Sequence, residues 1–182
     1  MSESGLIVKD FLDQIDQIFG LYLDTFYATL IYRSKMEEVL KTKPTDFVVE
    51  MISDDPKLPE TYHMHSVTKS SLLRRIQTDG HNTMMLGNSI IVNIYQLWED
   101  EIRGRIAKAK GIIKNEVNID LFGEVRHIRQ AIVHNNSLIT SDFKKVITIE
   151  YTKKEDKSFG FTHKQFEKLI NDIKRVLKEY SR

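Results

Sequence analysis

The sequence TMMLGNSIIVNIYQLWEDEIRGRIAKAK, from Thr83 to Lys110, is the most informative about the fold. Its apolar residues recur at helical spacing and form two adjoining stripes. One stripe contains Ile91, Trp98, Ile102 and Ile106, and the other contains Leu86, Ile90, Ile94 and Leu97. A helix with so broad an apolar surface must pack against more than one neighbour. The stretch therefore predicts the central helix of a helical bundle.

Further helices are predicted on both sides of this stretch. A long amphipathic helix covers Leu6 to about Lys41, with acidic residues near its start and basic residues near its end, as the helix dipole favours. A short helix is expected at about Val67–Gln77, and a third main helix at about Asp120–His134. Thr162 to Gln165 has the pattern of a capping box, which opens a final amphipathic helix.

Two segments break the helical pattern. Residues 43–65 hold all three prolines and predict a loop or insertion, with a short strand or turn at Phe47–Ile52. Residues 145–161 alternate between apolar and polar side chains on either side of a lysine-rich turn and predict a β-hairpin. In its first strand, the residues expected to share one face are Ile147, Ile149 and Tyr151. The whole chain is thus expected to be one mainly α domain, a bundle of four to five helices with a small C-terminal β-hairpin.

Composition narrows the class of protein. The 182 residues are 41% hydrophobic, enough for a sizeable core without disulfides. Lys and Arg number 27 against 26 acids, so an anion would have to be bound by a local cluster of charge. There are no cysteines, no recognisable leader and no apolar run approaching the roughly 20 residues of a membrane span. We expect a soluble, cytoplasmic protein that does not bind membranes.

The strongest candidate site is RHIRQAIVHNNS, Arg126 to Ser137, at the end of the third main helix. Arg129 and His134 are five residues apart, a net rotation of about 140° on a helix, so they do not share a face. They can still meet, because arginine is long and His134 lies near the helix end, or because a second chain contributes its own copy. A guanidinium can hold a phosphate, and an imidazole can move a proton near neutral pH.

These residues form an Arg-x4-His motif, and the sequence around them resembles the HEPN superfamily of small helical-bundle domains. Glu124 and Ile128 precede the histidine, Ile132 and Val133 lie inside the motif, and Asn135 follows it. The segment LWEDEIRGRIA in the preceding helix is similar to that of toxin-like and phage-defence members. The resemblance covers Thr83 to about Tyr180, extends over Leu6–Lys41, and leaves the proline-containing segment unmatched.

The resemblance implies a metal-independent endoribonuclease without a cofactor, which attacks through the ribose 2′-hydroxyl and leaves a 2′,3′-cyclic phosphate. His134 would be the general base or proton shuttle and Arg129 the phosphate clamp. Asn135 would be an accessory hydrogen-bonding group, and Gln130 would position the substrate. Many active members have Asn where this chain has Gln130, which moves the amide by one methylene.

The resemblance also implies a homodimer with a composite site, an RNA substrate, and a role as a toxin or abortive-infection effector with an antitoxin or defence-system partner. The alternative is a catalytically inactive HEPN-like module that dimerises or binds nucleic acid and regulates a partner.

Less specific alternatives apply to the motif itself. Arg129 could form a surface ion pair with Glu124 or Asp142, and His134 could cap the helix end. His127 lies two turns before His134 and is expected either to flank the site or to face solvent. Glu124 is an accessory candidate.

Basic residues near the motif are candidates for binding RNA through its phosphates. They are Arg103, Arg105, Arg126, Lys144 and Lys145. Such residues are more often part of a solvated surface, and Arg103 has the favourable spacing for an ion pair with Glu99.

The loop histidines are the candidate ligands for a zinc ion. His63 and His65 would share a face if extended, and His81 lies on another loop. With no cysteine and no carboxylate pattern beside them, we predict no metal site.

Overall fold

The computed structural model describes residues 2–52 and 63–181, and within these ranges the chain is mainly helical. Its helices are α1 (Glu3–Val39), α2 (Lys69–Arg75), α3 (His81–Leu97), α4 (Arg103–Lys110), α5 (Asp120–Asn135) and α6 (His163–Tyr180). All of them except α2 contribute to one large apolar core, and a smaller cluster centred on Leu72 joins α2 to the end of α1. The predicted helical bundle with a small C-terminal hairpin is confirmed.

The central helix predicted from Thr83 to Lys110 is a rod in three parts. Between α3 and α4 lies a π-helical turn, Trp98–Ile102, whose hydrogen bonds span one residue more than those of an α-helix. Trp98 and Ile102 are buried in the core, whereas Asp100 between them is exposed. The rod ends at Gly111, whose φ of +66° is the left-handed conformation that glycine adopts without strain.

The rod and α5 run antiparallel. Trp98 stacks on Phe122, near the start of α5, with ring centroids 4.3 Å apart. At the other end, the buried Asn88 of α3 donates a hydrogen bond from Nδ2 to the Ser137 hydroxyl. Val125, Ile128 and Ala131 are buried along the inner face of α5. This packing leaves the opposite face of α5 free for function.

The end of α5 has a defined turn. Asn136 and Ser137 both have positive φ, 50° and 62°, and the Ser137 N–H donates to the Ala131 carbonyl. The predicted turn at His-Asn-Asn is confirmed, since Asn tolerates the left-handed conformation. The Ser137 carbonyl also accepts from the Phe159 N–H, which ties the turn to the C-terminal hairpin.

Two antiparallel strand pairs complete the fold. β1 (Val48–Ile52) pairs with β2 (His63–Thr68), so the expected short strand at Phe47–Ile52 is confirmed, while its pairing with β2 was not predicted. β3 (Thr152–Lys153) and β4 (Phe159–Gly160) form the C-terminal hairpin. These strands are shorter than predicted, and the expectation that Ile147 shares an inner face with Ile149 is wrong. Ile147 is 82% exposed, whereas Ile149 is buried.

Helix α6 begins at the predicted capping box. The Thr162 hydroxyl accepts from the Gln165 N–H, and the Gln165 side chain accepts from the Thr162 N–H. His163 then joins α6 to α1, because its ring stacks on Phe26 at 3.8 Å and its Nδ1 is 3.1 Å from the Tyr22 hydroxyl. Burial raises the pKa of Tyr22, so the phenol stays protonated and can donate to Nδ1. In the described part of the chain, no helix is both long and apolar enough to cross a membrane.

Candidate active site

Arg129 and His134 are in direct contact. The Arg129 Nη1 lies 3.1 Å from the His134 Nε2. A guanidinium can only donate hydrogen bonds, so the histidine Nε2 is the acceptor in this contact. The contact therefore occupies the Nε2 lone pair of the imidazole.

The contact forms within a single chain. The backbone is helical at both residues, which are separated by about 140° around the axis and about 7.5 Å along it. The long arginine side chain spans this separation. Although the two residues do not share a helix face, no second copy of the motif is needed to bring their side chains together.

Arg129 does not form the alternative ion pair with Glu124 or with Asp142. The Glu124 carboxylate accepts hydrogen bonds from the N–H groups of residues 147–149, and Asp142 lies 3.4 Å from Lys145 Nζ. Among residues 2–52 and 63–181, no carboxylate lies within ion-pair distance of Arg129. Its guanidinium therefore remains available to an anion from solution.

The pair lines a polar, open pocket of about 660 Å³. Three parts of the chain build the pocket: the end of α3 with the π turn, the loop that follows α4, and the outer face of α5. From α5 come Gly123, Arg126, Arg129, Gln130 and His134; from the rod come Tyr95, Gln96, Glu99, Asp100 and Arg103; and from the loop come Asn115 and Asn118. Trp98 and Phe122, stacked on one another, form part of the apolar floor.

One wall of the pocket is held by an ion network. Glu99 bonds Arg103 at 3.0 Å and Lys114 at 2.8 Å, and the Arg103 Nε donates to the Val117 carbonyl. Partial burial acts to raise the pKa of Glu99, but the hydrogen bonds from Lys114 and Arg103 outweigh it and lower that pKa. Arg103 thus forms the predicted pair with Glu99 and fastens the loop to the rod.

The predicted accessory residues separate into two groups. Gln130 lines the pocket beside the motif, while Glu124, His127 and Asn135 do not. Glu124 instead binds the loop before the C-terminal hairpin, and the His127 Nδ1 is buried without a hydrogen-bond partner in the described chain.

The RNA-binding candidates also separate. Arg126 and Arg103 line the pocket, whereas Arg105, Lys144 and Lys145 do not. Arg105 pairs with Glu101 at 2.9 Å, and its Nη2 lies 3.7 Å from Asp10.

Five polar residues of the pocket were not predicted from the sequence. They are Tyr95, Gln96, Asp100, Asn115 and Asn118. A signal was present in the rod, because Gln96 and Asp100 are spaced four apart on its polar side. The two asparagines gave no such signal, since only the chain reversal between α4 and α5 brings them to the motif.

The loop histidines do not assemble a metal centre in the part of the chain that the structure describes. His65 Nε2 lies 2.7 Å from Arg75 Nη1, and the side chain of His63 is outside the described part. No group of three or more His, Asp or Glu residues within residues 2–52 and 63–181 could hold a metal ion.

Comparisons with known proteins give no relative. No family model matches the sequence, and neither a curated protein nor a solved structure shows significant similarity to it. The class that fold and site define is therefore a helical bundle with an Arg-His pair in a polar pocket.

Proposed function

We propose that this protein is a metal-independent endoribonuclease of HEPN type, with Arg129 and His134 as its catalytic residues. The observation that carries the proposal is the 3.1 Å contact between their side chains at a polar pocket. It supplies an anion-binding group and a proton acceptor at one place, as RNA cleavage through the 2′-hydroxyl requires.

The contact also suggests how substrate prepares the site. A phosphodiester between Arg126 and Arg129 would compete for the Arg129 donors and release the His134 Nε2 lone pair. Nε2 can then take the proton of the 2′-hydroxyl. The 2′-oxygen forms a bond to phosphorus, and the bond from phosphorus to the 5′-oxygen breaks. The leaving oxygen takes a proton from the imidazolium, and a 2′,3′-cyclic phosphate and a 5′-hydroxyl remain.

Gln130 fits a positioning role in this scheme. It is exposed on α5 between the two catalytic residues in sequence and lines the same pocket. Its amide can donate to a phosphate oxygen or to a ribose hydroxyl. By resemblance to toxin-like and phage-defence HEPN proteins, the cellular role that we propose is that of an effector kept in check by an antitoxin or another defence component.

A second candidate function is a catalytically inactive module that dimerises or binds nucleic acid. The outer face of α5, formed by Gly123, Arg126, Gln130 and Val133, is exposed throughout its length. A partner bound to this face would use Arg129 and His134 for recognition alone. The two functions differ in whether RNA is cut.

The test is cleavage of a 5′-labelled single-stranded RNA by the wild type, His134→Ala and Arg129→Ala. Loss of a positioned general base costs roughly 10²–10⁴-fold in rate, and we expect both variants to lose at least the lower figure. Cleavage by the wild type should survive EDTA and leave a cyclic phosphate end.

Both motif residues are partly or fully solvent-exposed, so the variants should fold normally. Circular dichroism and sedimentation serve as controls. Folded variants that cut at the wild-type rate would remove the motif from the mechanism, as would a requirement for Mg²⁺ or Mn²⁺. A wild type that binds RNA but cuts none would favour the inactive module.

A further inference from the structure

The pocket holds one carboxylate whose charge is not balanced. Asp100 has no cation within ion-pair distance among the described residues, and its Oδ2 accepts a hydrogen bond from Gln96 Nε2 at 2.6 Å. Its two acidic neighbours behave differently, because Glu99 bonds Arg103 and Lys114, and Glu101 bonds Arg105. Asp100 is exposed, so it meets whatever enters the pocket.

Two cations of the same pocket, both on α5, also lack an acidic partner among the described residues. Arg126 has no hydrogen-bond or ion-pair partner in the part of the chain that the structure describes, and within that part Arg129 hydrogen-bonds only to His134. They belong to α5, whereas Asp100 belongs to the π turn, and yet no ion pair joins the two sets. A ligand that satisfies the whole pocket must therefore present an anion to α5 and hydrogen-bond donors to Asp100.

Tyr95 lies among these groups. Its phenol interacts electrostatically with four charged side chains, those of Glu99, Arg126, Arg103 and Arg129. Burial, followed by the charge of Glu99, raises the pKa of Tyr95 despite the three arginines, so the ring stays neutral. A half-buried neutral aromatic ring in a polar pocket offers a stacking surface for a planar group.

We propose that this pocket binds one guanosine nucleotide of the RNA chain, with its phosphate on Arg126 and Arg129, its base against Tyr95, and its base edge on Asp100. The inference rests on the proposed function for the identity of the polymer. A volume of about 660 Å³ lies within the usual range for small-ligand sites. The amides of Asn115 and Asn118 supply further hydrogen bonds to the sugar or base.

Guanine is selected by the arrangement of its donors. Its Watson-Crick edge presents an N–H and an amino group side by side, which match the acceptors of one carboxylate. Adenine and cytosine present one amino group beside a ring-nitrogen acceptor, which would face a carboxylate oxygen unfavourably. Uracil presents one N–H between two carbonyl oxygens. Asp100 therefore discriminates against all three other bases.

The experiment measures binding of the 3′-monophosphates of the four nucleosides to wild type and Asp100→Asn by calorimetry. A second arm uses two uncleavable 2′-O-methylated trinucleotides, ApGpA and ApApA, to distinguish RNA from free nucleotide. We expect guanosine to be preferred by roughly 10-fold or more in both arms, since one well-formed bidentate contact discriminates by that amount. Asp100→Asn should reduce guanosine binding to the level of the other bases.

Glu101→Gln is the matched control, because Glu101 is the neighbouring carboxylate and does not line the pocket. It should bind like the wild type. Tyr95→Phe should retain binding, and Tyr95→Ala should weaken binding of all four bases by about 10-fold, as expected for a lost stacking surface.

Three results would overturn the inference: equal binding of all four nucleotides, an unchanged guanosine preference in Asp100→Asn, or a free nucleotide that binds while the trinucleotide does not. The proposed function fails separately. A guanosine preference without RNA cleavage would contradict the proposed ribonuclease activity but support the guanosine site. RNA cleavage without a base preference would contradict the guanosine site but support the ribonuclease activity.

Discussion

Arg129 uses one of its N–H groups to hold the His134 ring and keeps the others for an incoming anion. This contact has two consequences. It orients the imidazole, and it directs an arginine N–H at the Nε2 lone pair that the proposed general base would use. The five-residue spacing suits these roles, because it places the His134 ring within reach of the Arg129 guanidinium.

Arg129→Lys should lose RNA cleavage as Arg129→Ala does, with a rate about 100-fold or more below that of the wild type. Lysine keeps the positive charge, but it lacks the planar fork that can bind a phosphate while it also touches the histidine. The measurement is the single-turnover cleavage rate. Arg175→Lys, on the exposed surface of α6, is the matched control and should retain the wild-type rate. Recovery of activity in Arg129→Lys would show that charge alone suffices.

Near its start, helix α5 is joined to residues 147–149 by the side chain of Glu124. The Glu124 carboxylate accepts from the N–H groups of Ile147, Thr148 and Ile149, and from the Thr148 hydroxyl. Because these N–H groups are already bonded, residues 147–149 have no donors left for a β-ladder. This is why the alternation in VITIEY did not produce the predicted strand, and why Ile147 points into solvent.

Glu124→Gln should destabilise the protein by about 1–2 kcal/mol at neutral pH, because a charged acceptor of several N–H groups is lost. Burial acts to raise the pKa of Glu124, but the hydrogen bonds from Thr148, Ile147 and Ile149 hold it below its ordinary value. A carboxyl whose pKa is lower in the folded state stabilises the fold above the unfolded pKa of about 4.3, and this contribution is lost as pH falls through the folded pKa.

The difference in unfolding free energy between wild type and Glu124→Gln should therefore shrink on acidification. Urea unfolding at several pH values from 7 downwards measures it. Glu155→Gln, at an exposed position in the hairpin turn, should show no such difference. A difference that stays constant with pH would mean that the Glu124 charge contributes nothing.

The surface of the molecule around the motif suits an association between two chains. Val133 and Leu138 are exposed by 44% and 43% on either side of His134 in sequence, and the outer face of α5 is open to solvent. A two-fold contact here would bring two pockets together, since an isologous interface repeats the same surface on both subunits. We expect a homodimer with α5 at or beside the interface.

Sedimentation at micromolar concentration should show this dimer, and Val133→Glu should shift it to monomer by placing a charge in the apolar contact. Ile31→Glu is the matched control, because Ile31 is equally apolar and 61% exposed but lies on α1. A wild type that is monomeric, or a dimer broken by Ile31→Glu and not by Val133→Glu, would contradict an interface at α5.

The helices, the capping box at Thr162 and the turn after His134 could be predicted from the sequence, because each depends on local spacing or on the conformational preference of one residue. The Arg129/His134 pair could be proposed for the same reason. The pocket around this pair could not be predicted from the sequence. Tyr95, Asp100 and Asn118 are distant from the motif in sequence, and only the antiparallel packing of α5 on the rod places them beside it. Likewise, the sequence could not predict that Glu124 accepts hydrogen bonds from residues 147–149. Any N–H group that the fold brings close to a carboxylate can donate to it, so the tertiary structure decides which ones do.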